Sequence, residues 1–260
     1  MPYVKLDELG IFYEEFGRGE VVLFLHSAFS RGLLAFSGQI LPFSGHYRCL
    51  FPDFRGHGRT VCKSLDWNSR MIADDMSDFL DALDITQAHL IGYSLGAYVG
   101  CYMAAKYPDK VKSLVTIGGG AYPRPGGADD FLPENLISRN DTDFIEDMRI
   151  RHYEAHRGDW QTYLRTTVAD WKTHPNLTDN EWAAIRCPTL FISGEHDPFG
   201  TCAELQEKVP HAKIYEVKGG GHRPHFVGEQ ANEVNAVILD HLSKAAGGIN
   251  EIGASLISEE

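Results

Sequence analysis

A chain of 260 residues with 43% hydrophobic and 23% charged side chains carries enough apolar material for one large α/β domain or two small ones, and too much for a disordered chain. A formal net charge of −12, with no basic run to offset it, repels phosphate backbones and anionic lipid surfaces, so neither nucleic acid nor membrane is an expected partner. Five cysteines (49, 62, 101, 187, 202) without a Cys-x-x-Cys pair, a start lacking a basic-then-apolar leader, and no bilayer-length apolar stretch point to a cytoplasmic protein with reduced thiols.

In chain order, residues 3–7 and 11–16 read as an antiparallel hairpin, and VVLFLH (21–26) and YRCLFPD (47–53) as short β-rich runs. Residues 69–83 place Met71, Ile72, Met76, Phe79, Leu80 and Leu83 near one face at helical spacing. AHLIGYS (88–94) is a buried strand, and LGAYVGCYMAAKYP (95–108) a helix stopped by Pro108. VKSLVTIGG (111–119), TLFISGE (189–195) and KIYEVKG (213–219) are further strands, and a helix over roughly 228–244 closes the series. Continuous apolar strands joined through helices imply a mostly parallel central sheet with helices on both faces. The pattern breaks over 120–186, which opens with the turn-rich GAYPRPGGADD and continues as polar, aromatic-studded helical text, too long for a plain loop. The chain therefore divides into a core of 1–119 and 187–244, an insertion of 120–186, and a glycine-led tail of 245–260.

Within this frame, GYSLG puts Ser94 between a strand and a helix, with glycine two residues before and two after. Such a turn is sharp enough to lift a serine hydroxyl above the sheet at a helix N-terminus, where free N–H groups favour negative charge. The spacing alone is weakly specific, and its placement between strand and helix is what gives it weight. A serine hydroxyl also needs a base, and the base an orienter. Asp197 stands just past one predicted strand and His222 just past the next, behind Gly219, Gly220 and Gly221, which leave room for a flexible loop to bring the imidazole over Ser94. Glu195 is the second candidate for the acid. The oxyanion donors would be the N–H groups of Leu95, after the nucleophile, and Ala28, in the turn after VVLFLH.

Bland readings compete elsewhere. His26 reads as structural, and Asp53 and Arg55 as bonding neighbouring loop backbone beside His57. His222 and His225 form a His-x-x-His pair, but nothing near completes a metal site, so no metal is expected. Phe29, Tyr93, Tyr122 and Trp160 are candidates to line an apolar pocket. The other aromatics of the insertion include Phe131, Tyr153, Tyr163, Trp171 and Trp182, most of which should serve packing. Arg124, Arg149 and Arg151 keep an anionic substrate open.

Together these pieces resemble the α/β-hydrolase superfamily. HSAFS stands in place of the usual His-Gly oxyanion motif, DFRGHG follows the next strand, GYSLG is the elbow, GEHDPF carries the acid and GGGHRPH the base. The resemblance spans roughly residues 3–244, with one departure, Ser27 where the family usually has glycine, which narrows the room behind the oxyanion turn. It implies that 120–186 is a cap that covers the site and selects substrate. Serine, rather than the aspartate of haloalkane dehalogenases and epoxide hydrolases, favours acyl transfer to water without a cofactor. The elbow also looks like that of the menaquinone-pathway lyases that expel pyruvate, but those usually continue with an arginine where Ala97-Tyr98 stand. The expected activity is hydrolysis of a small carboxylic ester or lactone. Lyase, carbon–carbon bond hydrolase, cofactor-free perhydrolase and slow-triad receptor chemistry stay open, as does the oligomeric state.

Overall fold

A computed structural model describes residues 3–246. Strands β1 (Tyr3–Leu6) and β2 (Leu9–Phe16) form the hairpin, with Tyr3 opposite Phe12 and Leu6 opposite Leu9. Then come β3 (Val21–Leu25), the short helices α1 (Gly32–Ala35) and α2 (Ile40–Ser44), and β4 (Arg48–Pro52). A two-residue strand, β5 (Val61–Cys62), pairs with β2 and is too short to leave a pattern in the sequence. Helix α3 (Ser69–Ala82) leads to β6 (Ala88–Tyr93), α4 (Leu95–Lys106) and β7 (Val111–Ile117). Helices α5 (Pro133–Ser138), α6 (Thr142–Arg151), α7 (Tyr153–His156), α8 (Trp160–Thr173) and α9 (Asp179–Ala184) fill the chain before β8 (Thr189–Gly194). α10 (Cys202–Lys208), β9 (Lys213–Val217) and α11 (Ala231–Ala246) complete it. α11 crosses the expected boundary at 244, and the remainder of the 245–260 tail lies outside the described residues.

The sheet runs β1-β2-β4-β3-β6-β7-β8-β9, with the hairpin antiparallel at one side and every pair from β4 to β9 parallel. Its inner strands β3, β6 and β8 are buried almost end to end because both faces are covered, and alternate side chains serve opposite layers. In β3, Leu23 and Leu25 join the layer of α3, α4 and α10. Val22 and Phe24 join the opposite layer with α11. Ile72, Met76, Phe79 and Leu80 of α3 are buried as their spacing predicts, and the Asn68 side chain caps that helix by accepting from the Arg70 and Met71 N–H groups at 3.0 and 3.1 Å.

The inserted helices build a separate small cluster of Leu136, Met148, Tyr163 and Leu164, against which Phe29 also packs. Trp182 and Ile185 instead belong to the main core, because α9 packs against α4, so the chain rejoins the core before residue 187. Buried Asp170 of α8 ties the insertion to the start of α3, accepting from the Ser69 N–H at 2.7 Å and its hydroxyl at 2.6 Å.

Candidate active site

Ser94 stands at the turn from β6 into α4 with φ 54° and ψ −116°, a conformation a non-glycine residue keeps only when its surroundings over-determine it. The flanking glycines explain how. A Cβ on Gly92 would stand 2.2 Å from the Gly96 carbonyl oxygen, and one on Gly96 would stand 1.9 Å from the Leu25 carbonyl oxygen. Only bare backbone lets α4 start this close to β6 and β3. The Ser94 N–H is tied to the Ile117 carbonyl at 2.9 Å.

Asp197 and His222 follow the ends of β8 and β9, the same edge of the sheet as Ser94. His222 Nε2 lies 3.1 Å from Ser94 Oγ, and its Nδ1 lies 3.0 and 3.1 Å from the two Asp197 carboxylate oxygens. The Asp197 side chain is 1% exposed and also accepts the Phe199 N–H at 2.9 Å, which fixes its plane. A carboxylate on Nδ1 makes that nitrogen the N–H donor and leaves Nε2 free to accept the Ser94 hydroxyl proton. Beneath His222 lies Gly118, at φ +61°, where a Cβ would stand 2.8 Å from the His222 carbonyl oxygen and 2.9 Å from Nδ1.

The loop of three glycines is bonded into place. Gly219 N–H donates to Glu195 Oε2 at 2.8 Å, and the Gly220 carbonyl accepts the His196 N–H at 2.9 Å. Glu195, the second candidate acid, therefore holds the approach to His222 and does not reach its imidazole. Leu95 is the first residue of α4, so its N–H has no intrahelical partner, and Leu95 and Ala28 both line the cavity that contains Ser94 and His222. His26 anchors the Ala28 turn from below. Its Nε2 accepts the Phe54 N–H at 2.9 Å, its Nδ1 donates to the Ser27 carbonyl at 2.8 Å, and burial pushes its pKa down to about 3. The imidazole is thus a neutral strut.

Asp53 serves backbone as expected, accepting from the N–H groups of Gly32 (2.8 Å) and Arg59 (2.9 Å). Arg55 does not: it pairs with the Asp75 side chain of α3 at 2.6 and 2.8 Å, because its guanidinium points back to the helix under the sheet edge. His57 and His225 are fully buried and, chiefly through burial, pushed down to about 3; His225 Nε2 donates to the Ala35 carbonyl at 3.1 Å. Among the described residues no cluster of His, Cys, Asp or Glu has the arrangement of a metal site.

The cavity measures about 380 Å³. Phe29, Trp67, Tyr93, Tyr98, Phe131, Trp171 and Phe199 form its aromatic walls, and Ser27, Thr167, Asp170 and Arg223 add polar groups. Two pocket expectations are corrected. Tyr122 is 49% exposed, its ring 5.3 Å from the Lys208 ammonium on the outer surface. Trp160 packs into the small cluster of the insertion. It lies at the start of α8, while Thr167, Asp170 and Trp171 face the cavity about 10 to 16 Å further along at helical rise. Arg124, Arg149 and Arg151 all have carboxylate partners, in Glu204, Glu146 and Asp147. The cation at the cavity is Arg223, which the sequence reading misses although it adjoins His222. Tyr98, one turn beyond Ser94, and Phe199, two residues beyond Asp197, carried the same signal of adjacency; Trp67 and Asp170 carried none.

Residues 22–237 match the family model described as the alpha/beta hydrolase family. Among curated relatives, a protein of Pantoea ananatis named for carbamate hydrolysis is 26% identical over 80% of this chain and 83% of its own length. A 2-hydroxy-6-oxononadienedioate/2-hydroxy-6-oxononatrienedioate hydrolase of Burkholderia vietnamiensis is 26% identical over 91% of this chain and 92% of its own. Among solved structures, the enol-lactonase from Burkholderia xenovorans LB400 superposes with a TM-score of 0.74 at 22% identity, covering 93% of this chain and 100% of that one. At that identity the likeness concerns the fold.

Proposed function

The chain belongs to the α/β-hydrolase family, and on that premise we propose that it is a serine hydrolase cleaving a small, uncharged carboxylic ester or lactone. The observation that carries this is the unbroken hydrogen-bonded series Ser94–His222–Asp197 opening into an aromatic cavity.

Ser94 Oγ attacks the substrate carbonyl as His222 Nε2 takes its proton, and Asp197 stabilises the imidazolium. The tetrahedral oxyanion is held by the Leu95 and Ala28 N–H groups, each worth about 2.7–4 kcal/mol by deletion in comparable sites. His222 returns the proton to the leaving alcohol, which departs, or stays tethered through the acyl chain when the substrate is a lactone. Water then gives a proton to His222 and attacks the acyl-enzyme. The proton returns to Ser94 as the carboxylic acid leaves. The reaction balances with water as the sole co-substrate.

The lining of the cavity argues against carbon–carbon cleavage of a dianion such as the one in the Burkholderia vietnamiensis relative's name. Asp170, 5% exposed, is part of the wall, while Arg223, the one guanidinium or ammonium lining the cavity among the described residues, is at the rim with its side chain 62% exposed. Two carboxylates on a substrate would meet one carboxylate and a single solvated cation. No helix among the described residues is long and apolar enough to cross a membrane. The five cysteines are free thiols, the state that a reducing, cytoplasmic setting would maintain.

Treating the folded protein with a fluorophosphonate and mapping the adduct tests the mechanism, and a panel of neutral aryl esters and lactones tests the substrate class. The expected results are a single adduct on Ser94 and turnover of neutral esters or lactones. An unmodified Ser94, or a labelled Ser94 with no turnover across the panel, would overturn the proposal.

A further inference from the structure

The turn that carries Ala28 is gripped on both sides. Upstream, His26 binds the Phe54 N–H and the Ser27 carbonyl. Downstream, Phe29 has φ 57°, a left-handed conformation that costs a side-chain-bearing residue about 1–2 kcal/mol and relaxes unless it is held. The grip on Phe29 comes from the segment between β7 and β8. Its ring stacks on Phe131 (centroids 4.9 Å, 29° between planes) and meets the edge of Phe144 at 5.4 Å. Its carbonyl accepts Arg151 Nη1 at 2.5 Å across 122 residues of sequence. The same guanidinium pairs with Asp147 one turn earlier on α6, so it is anchored on its own helix. Arg151 does not line the cavity.

We propose that Arg151 is a positioning residue for the oxyanion site: by holding the Phe29 carbonyl it keeps the strained turn in the form that aims the Ala28 N–H at the developing oxyanion. This rests on the serine-hydrolase reading above. A guanidinium suits the task because a charged donor to a carbonyl makes a stronger bond than a neutral one and cannot be deprotonated near neutral pH. The consequence is that the oxyanion site is complete only while α6 is docked, which couples the inserted segment to the chemical step.

The test compares an oxygen ester with the matching thionoester, same acyl and leaving groups, in Arg151→Met, Arg151→Lys and the control Arg149→Met. Arg149 is two residues away on the same helix, pairs with Glu146 alone among the described residues, at 2.9 Å, and is about half exposed. Thiocarbonyl sulfur accepts hydrogen bonds poorly, so a misdirected Ala28 N–H handicaps the oxygen ester more than the thionoester. For Arg151→Met, kcat on the oxygen ester should fall about 10–100-fold, less than the loss of a whole donor, with KM within about threefold. The thionoester should lose clearly less, narrowing the oxygen-to-thiono rate ratio by about fivefold or more. Arg151→Lys should recover part of the ratio, and Arg149→Met should match the wild type. The ratio is internal to the active fraction, so partial misfolding scales both substrates and leaves it unchanged. Equal losses on both substrates, or an unchanged kcat in Arg151→Met, would refute the role. Wild-type protein that turns over neither ester would instead refute the serine-hydrolase reading beneath it.

Discussion

Lowering the pH from 7.5 to 5.5 should remove about 4 kcal/mol of folding stability through His26, His57 and His225 alone. All three are fully buried and, chiefly by that burial, pushed down to about 3. In the unfolded chain a histidine titrates near pH 6.5. Across this interval each unfolded histidine gains about 0.8 of a proton while its folded counterpart gains none, which integrates to about 1.4 kcal/mol apiece. The sign follows: stability is fully present above the unfolded pKa and is lost progressively as pH falls from 6.5 toward 3, because the unfolded state binds the protons. His152, buried and pushed well below its ordinary value, adds in the same direction. His174, whose burial opposes charge but whose bond to the Asp170 carboxylate outweighs it, is raised and works against the trend. The His225→Phe variant isolates one contribution. It loses the bond to the Ala35 carbonyl, so it should be about 1 kcal/mol less stable at pH 7.5. Its stability should then fall between the two pH values by about 1.4 kcal/mol less than that of the wild type. Urea denaturation at both pH values measures this. Equal falls in the two proteins would refute the claim that His225 is held neutral. The site goes with the fold, since His26 supports the oxyanion turn and His225 lies against Tyr93, which abuts His222.

Asp197→Asn should lower kcat by about 10³–10⁴ with little change in KM, through loss of the Nδ1-protonated tautomer, while Glu195→Gln, whose amide oxygen can still accept the Gly219 N–H, should stay within about threefold; steady-state kinetics decides between the two carboxylates. Gly118→Ala should fold yet lose about tenfold or more in kcat, because its Cβ would press on the His222 ring and backbone and misalign the base; retained activity would mean that His222 is free to shift. An aryl butyrate should be preferred over the aryl hemisuccinate of similar length by about tenfold or more in kcat/KM, since the second carboxylate would approach buried Asp170; an equal or reversed preference would remove the argument for uncharged substrates.

The elements that are legible in the sequence are those whose causes are local. A short, mostly apolar run over β6, two glycines and a helix that Pro108 ends are enough to specify the elbow, because its steric demands involve atoms a few residues apart or on the adjoining strand. The ends of β8 and β9 place Asp197 and His222 on the same edge of the sheet for the same reason. Strand alternation likewise sorts Leu23 from Phe24 into opposite layers before any tertiary contact is known.

What the sequence by itself determined, then, is a mostly parallel sheet with a serine, a carboxylate and an imidazole just past the ends of three of its strands. Tertiary structure alone decided what faces them. Trp160 and Trp171 belong to one helix, and only the docking of α8 puts the second in the cavity and the first in a separate cluster. Tyr122 is turned to the surface, Arg55 finds Asp75 instead of loop backbone, and Asp170 enters the wall by bonding Ser69, 101 residues away in the chain. Arg151 meets Phe29 by the same kind of long-range packing. Such contacts depend on helix rotation and on how two layers settle against each other, quantities to which no short stretch of sequence is sensitive.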